Sequence, residues 1–228
     1  MQHPCCIRFH TQPHSTAIGE FVWEFGGGGM ALNIMKEVYF TPEQLMQIFK
    51  KIPSDHIIII DNFISSEICD SIVKEIESKA TIDEVKMNSD TNVKCKSIPC
   101  DIKHKLESFQ FLNNQFVNLA KNLNREYGID IQLIDIPNYR KIYGNTRIHV
   151  DGVSDGLGKT DKRTLSIILS LNDDYEGGEI VFPIQNREIK LKKGQIILFP
   201  PYWTHPHYTN DLKNNTFRYT INSWFLQT

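Results

Sequence analysis

Three short segments carry side chains whose types and spacing could do chemistry. The first is His149-Val150-Asp151. On an extended strand end, residues i and i+2 point to one side, so an imidazole nitrogen and a carboxylate oxygen can meet a single ion. That pairing suits Fe(II), Mn(II) or Zn(II). Alone, a His-x-Asp also reads as an ordinary polar strand end. The second segment is Thr204-His205-Pro206-His207, remote in sequence but able to lie beside His149 in a rolled sheet. Two histidines and one carboxylate form a facial triad that leaves one face of an octahedron open, whereas a closed structural zinc site takes a fourth protein ligand. The third is Arg218-Tyr219-Thr220, where the same period of two puts Arg218 and Thr220 on one face. A guanidinium fork grips a carboxylate bidentately, and a hydroxyl can donate to it as well. Arg218 stands among hydrophobic neighbours, and an inward arginine needs an anion. A diacid that chelates the metal at one end and meets Arg218 at the other supplies it.

These segments need elements to position them. Ile57 to Ile60 is a β-branched run that reads as a short buried strand. Ser65-Ser66-Glu67 starts a helix whose apolar stripe is Ile68, Ile72, Val73 and Ile76. A second, longer helix spans 103–127, with Leu106, Phe109, Phe116, Leu119 and Leu123 on one side and Gly128 placed to end it. A shorter helix is expected over 41–51, capped by Thr41 ahead of Pro42 and Glu43. The polar stretch 83–101 reads as an irregular loop, and it and the loop 152–162 are the two candidate lids.

From Ile129 onward short β-rich segments recur: 129–136, 139–143, 147–150, 164–171, 179–183, 188–191, 195–199 and 218–225, separated by turns such as Asn172-Asp173-Asp174 and Lys193-Gly194. Helices first and antiparallel strands afterwards predict an α+β domain built on a sandwich or barrel. The expected organisation is a leader or tail over 1–29, helical support with an opening strand over 30–128, and a β core over 129–228, the last two forming one structural domain.

Composition narrows the function classes. The chain has 228 residues, 40% of them hydrophobic, enough for one globular domain of ordinary size. A formal charge of −2 gives no reason to expect a nucleic-acid partner. No apolar run is long enough to span a membrane. The five cysteines are odd in number and fit no ligand template. They read as free thiols, which fits a reducing, cytoplasmic setting.

The ordered set of segments resembles the prolyl-4-hydroxylase-like branch of the iron(II)/2-oxoglutarate-dependent oxygenases over roughly residues 55–226. The resemblance runs through Ile60-Asp61-Asn62-Phe63-Ile64-Ser65 with its following helix, Asn138-Tyr139 ten residues before His149, and His149-Val150-Asp151. It continues through Leu171-Asn172, Glu176-Gly177-Gly178-Glu179 and Gly194 to Pro200, and ends on Arg218 and Trp224, six residues apart. It implies a double-stranded β-helix (jelly-roll, cupin-like) core with supporting helices.

It also implies a dioxygenase that takes Fe(II), 2-oxoglutarate and O2, with ascorbate in support, and releases succinate and CO2 as it hydroxylates a C–H bond. The metal ligands are then His149, Asp151 and His207. His207 stands eleven residues before Arg218 and His205 thirteen, and the family's shorter spacing favours His207 while leaving His205 as its rival. Arg218 and Thr220 would bind 2-oxoglutarate, with Tyr139, or else Tyr143, adding a hydrogen bond. Trp224 and Arg147 are the substrate contacts. A prolyl or other protein side chain is the leading substrate. A free amino acid or other small molecule, or a non-catalytic metal-binding module, are the alternatives, and the oligomeric state stays open.

Overall fold

The computed structural model describes residues 53–83, 94–152 and 162–227, together with three two-residue strands before position 31. The expected helix over 41–51, most of the 1–29 leader and most of both candidate lids lie outside the described residues.

Strand β1 (Ile58–Ile60) leads into α1 (Ser66–Lys79). The Ser65 hydroxyl caps this helix by accepting the Ile68 N–H at 3.4 Å, and Cys69, Ile72 and Ile76 form its fully buried stripe. The expected loop over 83–101 is partly ordered. Thr81–Ile82 (β2) pairs with Cys95–Ser97 (β3), and a 3₁₀ turn follows over Cys100–Lys105. Helix α2 therefore begins later than its periodicity predicts, at Glu107, and runs to Tyr127. Its N-terminus has no local side-chain cap. Glu75 of α1 serves instead, accepting the Glu107 N–H at 2.8 Å and the Ser108 hydroxyl, a carboxylate at the positive end of a helix. Gly128, at φ +63°, ends α2 in the left-handed conformation that glycine adopts without strain.

The remaining strands are β4 (Leu133–Asp135), β5 (Asn138–Ile142), β6 (Thr146–His149), β7 (Lys162–Ser170), β8 (Glu176–Gly177), β9 (Ile180–Phe182), β10 (Arg187–Ile189), β11 (Ile196–Phe199), β12 (His207–Thr209), β13 (Leu212–Lys213) and β14 (Arg218–Gln227). The larger sheet runs β1-β11-β7-β14-β5-β3-β2, and a four-stranded sheet runs β10-β9-β12-β6. All their pairings are antiparallel. Strand β1 joins the C-terminal strands directly, through Ile59 opposite Ile197. The architecture is a double-stranded β-helix with two helices on its outer face.

Alternation along the strands separates two cores. On the outer face Leu165, Ile167, Leu169, Ile196, Leu198, Ile221 and Phe225 pack against Ile72, Ile76, Leu112 and Phe116 of the helices. On the inner face Ile168, Ile197 and Phe199 meet Ile180, Phe182 and Ile189 of the smaller sheet. The functional side chains lie in this second space, between the sheets.

Candidate active site

Strand β12 was not evident in the sequence, and it shapes the site. In the β6–β12 ladder His149 and His207 are direct partners, with ring centroids 4.4 Å apart. Directly opposed residues bring their Cβ atoms close, so two imidazoles converge without backbone distortion. Thr146 and Thr209 lock the register: the Thr209 hydroxyl accepts the Thr146 N–H at 2.9 Å and donates to the Thr146 hydroxyl at 3.2 Å. Asp151 follows β6 by two residues. Its carboxylate lies 3.4 Å from His149 Nε2 and 3.9 Å from His207 Nε2. One ligand atom from each of His149, Asp151 and His207 falls within 4.8 Å of the other two.

The hydrogen bonds behind these residues fix their chemical form. His149 Nδ1 lies 2.8 Å from the Arg147 carbonyl, and His207 Nδ1 lies 3.1 Å from the His205 carbonyl. A carbonyl only accepts, so each Nδ1 carries the proton and each Nε2 presents its lone pair to the cluster. Phe182 and Phe199 wall His207 at 5.6 and 4.7 Å between ring centroids. Burial pushes the His207 pKa down and outweighs the pull of Asp151, so the ring is neutral at pH 7. Burial acts on Asp151 in the opposite sense, raising its pKa. His149, His207 and the Ser166 hydroxyl together outweigh that and hold the carboxyl below the usual carboxylate range. Ser166 donates to Asp151 Oδ2 at 2.6 Å. Two imidazole nitrogens and a carboxylate fit Fe(II) with open positions.

His205 takes another place. The chain turns before it, with the His205 N–H donating to the Tyr202 carbonyl at 2.9 Å, so the extended segment expected over 204–207 is absent. Both its ring nitrogens are engaged, Nε2 with the Asp55 carbonyl at 2.9 Å and Nδ1 with the Thr204 hydroxyl at 2.9 Å.

Arg218 and Thr220 point between the sheets, 5% and 1% exposed. The Arg218 Nη1 donates to the Gly178 carbonyl at 2.7 Å, while its Nε–H is buried without a partner. Gly177 and Gly178 adopt φ values of +70° and +68°, and a Cβ on Gly177 would come 2.1 Å from the Asp211 carbonyl oxygen, so this turn requires glycine. A buried cation with an unpaired donor fits the far carboxylate of a diacid.

Tyr139 departs from expectation. In the β5–β14 ladder it lies opposite Ile221, on the helix side, while Arg140 lies opposite Thr220. Tyr139 is fully buried in the outer core, and its hydroxyl accepts from Ser108 at 3.3 Å. It is on the face away from Arg218. Tyr143 lies just beyond β5, half-buried, with its N–H on the Lys94 carbonyl at 3.0 Å. Trp224 shares the inner face with Ser166, its register partner, and Arg163 stacks on its ring at 3.8 Å. The Arg147 side chain is exposed, and the residue touches the site through its carbonyl. Sequence reading missed Ser166, Arg163, which donates to the Asp151 carbonyl, and Arg140. The signal for Ser166 was present. Ser166 and Ser170 alternate with Leu165, Ile167 and Leu169, a polar face on a buried strand.

A double-stranded β-helix that brings together two histidines, one carboxylate and a buried arginine with an open Nε–H has the donor set of a mononuclear iron site with a carboxylate clamp beside it. Residues 136–226 match the model of the 2OG-Fe(II) oxygenase superfamily. That stretch is similar to the superfamily's domain, and with the cluster of His149, Asp151 and His207 it supports a 2-oxoglutarate-dependent dioxygenase that uses Fe(II) and 2-oxoglutarate.

Solved structures share the fold. A viral collagen prolyl hydroxylase from Paramecium Bursaria Chlorella virus-1, in complex with 2-oxoglutarate, is 21% identical, with 78% of this chain and 99% of that one covered at a TM-score of 0.58. A Pseudomonas putida prolyl-4-hydroxylase is 14% identical, with coverages of 81% and 99% and a TM-score of 0.62. A Trichoplax adhaerens prolyl hydroxylase, bound to a peptide fragment of the hypoxia inducible factor oxygen degradation domain, is 16% identical, with coverages of 80% and 89% and a TM-score of 0.61. No curated protein matches the chain by sequence. Among the described residues no helix is long and apolar enough to cross a membrane.

Proposed function

We propose that the chain hydroxylates a prolyl or other side chain of a peptide, with His149, Asp151 and His207 holding Fe(II) and Arg218 and Thr220 holding the far carboxylate of 2-oxoglutarate. The observation that carries the metal assignment is the convergence of one ligand atom each from His149, Asp151 and His207 within 4.8 Å of one another. When bound, Fe(II) and 2-oxoglutarate supply the oxidising chemistry: O2 and 2-oxoglutarate are consumed, succinate and CO2 leave, and one oxygen atom enters the substrate C–H bond.

The chain's own residues orient and exclude. The carbonyls of Arg147 and His205 keep both imidazoles in the ligating tautomer. Ser166 holds one Asp151 oxygen and so fixes the carboxylate plane. The Gly152 N–H donates to the Pro201 carbonyl at 2.7 Å, tying the segment after Asp151 to the segment that leads to His207. Phe182 and Phe199 keep water from the back of His207.

A peptide substrate is supported by the surface beside the site. Trp203, Tyr202 and Ile148 are 81%, 45% and 60% exposed; Ile148 precedes His149, and the Tyr202 ring lies beside Gly152, next to Asp151, so exposed apolar side chains of the kind that grip an extended chain stand near the cluster. The named relatives of like fold are prolyl hydroxylases, one with its peptide bound.

The test is mass spectrometry of proline-containing peptides and of free proline, incubated with the chain, Fe(II) and 2-oxoglutarate. Gain of one oxygen on peptidyl proline, with matching succinate, is the expected result. Oxygen gained only by the free amino acid would overturn the peptide assignment.

A further inference from the structure

Arg140 was not among the residues read as functional, yet it shares the inner face with Arg218. In the β5–β14 ladder Thr220 lies opposite Arg140 and Arg218 lies opposite Ile142, which makes the two arginines diagonal neighbours. They are 8% and 5% exposed. The Nε–H of each is buried without a hydrogen-bond partner. Among the described residues neither guanidinium pairs with a carboxylate, and Arg218 donates to the neutral Gly178 carbonyl. Burial pushes the Arg218 pKa down, and the neighbouring Arg140 charge adds to that push against Tyr175 and Glu179. Ser170, register partner of Thr220 on β7, adds a second buried hydroxyl to the same face.

Two buried like charges with open donors are a costly arrangement unless an anion completes it. One carboxylate suffices in number: its two oxygens offer about four acceptor positions, and one guanidinium fork fills two of them. A lone cation would serve a carboxylate; a diagonal pair on adjacent strands grips it from two directions. We propose that Arg140 binds the far carboxylate of 2-oxoglutarate together with Arg218. This rests on the assignment of Arg218 above and deepens it. Two consequences follow from the charge pair. A 2-oxo acid without the far carboxylate leaves both cations unanswered, and the unliganded protein carries a repulsion that 2-oxoglutarate relieves.

Calorimetry on the full chain with Mn(II) tests this, using 2-oxoglutarate and 2-oxovalerate, a 2-oxo acid of the same length without the far carboxylate. Loss of one charge-assisted contact in Arg140→Met is expected to weaken 2-oxoglutarate binding by about 10- to 100-fold. Binding of 2-oxovalerate stays unchanged, Arg140→Lys recovers most of the loss, and the unliganded Arg140→Met protein unfolds at a temperature no lower than the parent. A merely structural arginine would lower that temperature instead. If Arg140→Met binds 2-oxoglutarate like the parent while Arg218→Met does not, the Arg140 proposal is overturned and Arg218 stands. If neither variant changes binding, the Arg218 assignment falls as well. A measurement on the unaltered chain covers the case of a variant that does not fold. Labelling by phenylglyoxal, read by peptide mass spectrometry, should be blocked at Arg140 by 2-oxoglutarate and not by 2-oxovalerate. Equal labelling under both ligands would refute the proposal.

Discussion

The same strands of the larger sheet present two unlike faces. On the helix side, β7 and β14 offer Leu165, Ile167, Leu169, Ile221 and Phe225 to α1 and α2, and the layer is mostly apolar, with Glu75, Ser108 and Asn113 as its buried polar residues. On the inner side, Ser166, Ser170, Arg218, Thr220 and Trp224 are polar or carry a polar atom, and Ile168 among them joins the apolar cluster with the smaller sheet. The buried unpaired nitrogens of Arg140, Arg218 and Trp224 all lie on inner-facing positions of β5 and β14. Asn113 of α2, whose buried amide is also unpaired, is the exception, and nothing in the structure explains it. Both faces bury apolar side chains, but the inner one also buries open donors of the kind a ligand would satisfy. Apolar burial rewards folding directly, whereas unpaired buried donors cost folding energy and repay it only with a ligand.

The comparison breaks most visibly at Asp151. Replacing it by Ala on the inner side removes the one carboxylate of the cluster and the acceptor of Ser166. Titration calorimetry should find Mn(II) binding lost and succinate formation abolished, with circular dichroism unchanged. Retained metal binding would detach function from this face. The opposite cut is Phe116→Ala on the helix side. Phe116 is fully buried and stacks on Phe63 at 6.0 Å. Deleting such a ring costs about 3–5 kcal/mol in denaturant unfolding, while Mn(II) affinity of the folded protein should not move.

Ser166→Ala sharpens the contrast within a single strand. Its hydroxyl touches the site and not the helices, so metal affinity should fall by about 10- to 100-fold, the usual cost of losing a partner that orients a ligand. Stability should change by no more than about 1 kcal/mol. A variant that loses stability but keeps its metal affinity would place Ser166 with the structural face instead.

Much of this arrangement could be read from the sequence because periodicity is local. The i, i+2 spacing of His149 and Asp151 and of Arg218 and Thr220 survives folding, since each pair sits within one strand or its immediate end. The stripe of α1, the Ser65 cap and the Gly128 stop are equally local. What sequence could not supply was anything decided by a partner strand. In Asn138-Tyr139-Arg140-Lys141-Ile142 polar and apolar residues do not alternate cleanly, so nothing local says which face looks inward; the pairing with β14 decides it. The strand Cys95–Ser97 has no alternation of its own and is ordered by pairing with β5. His205 and His207 satisfy the same spacing rule, but the rule assumes extended backbone. The turn at Tyr202 to His205 breaks that assumption, so only His207 enters β12.

Tyr139 supplies the most delicate cut, because sequence resemblance and register disagree on it. Resemblance gives its hydroxyl to 2-oxoglutarate, whereas register turns it toward α2, where it accepts from Ser108 at 3.3 Å beside buried Glu75. Tyr139→Phe removes only that oxygen. On the helix side the loss is one neutral hydrogen bond with a second acceptor, Glu75, still present for Ser108, so destabilisation should be about 1 kcal/mol or less. On the ligand side it would remove a donor from a dicarboxylate and weaken 2-oxoglutarate binding by about tenfold or more. Calorimetry with Mn(II) separates the two outcomes. Affinity equal to the parent is expected, because a residue one step along a strand from Arg140 and Thr220's partner position cannot reach between the sheets without reversing the whole ladder. A tenfold loss would mean that β5 is shifted by one residue, which would also turn Arg140 away from Arg218.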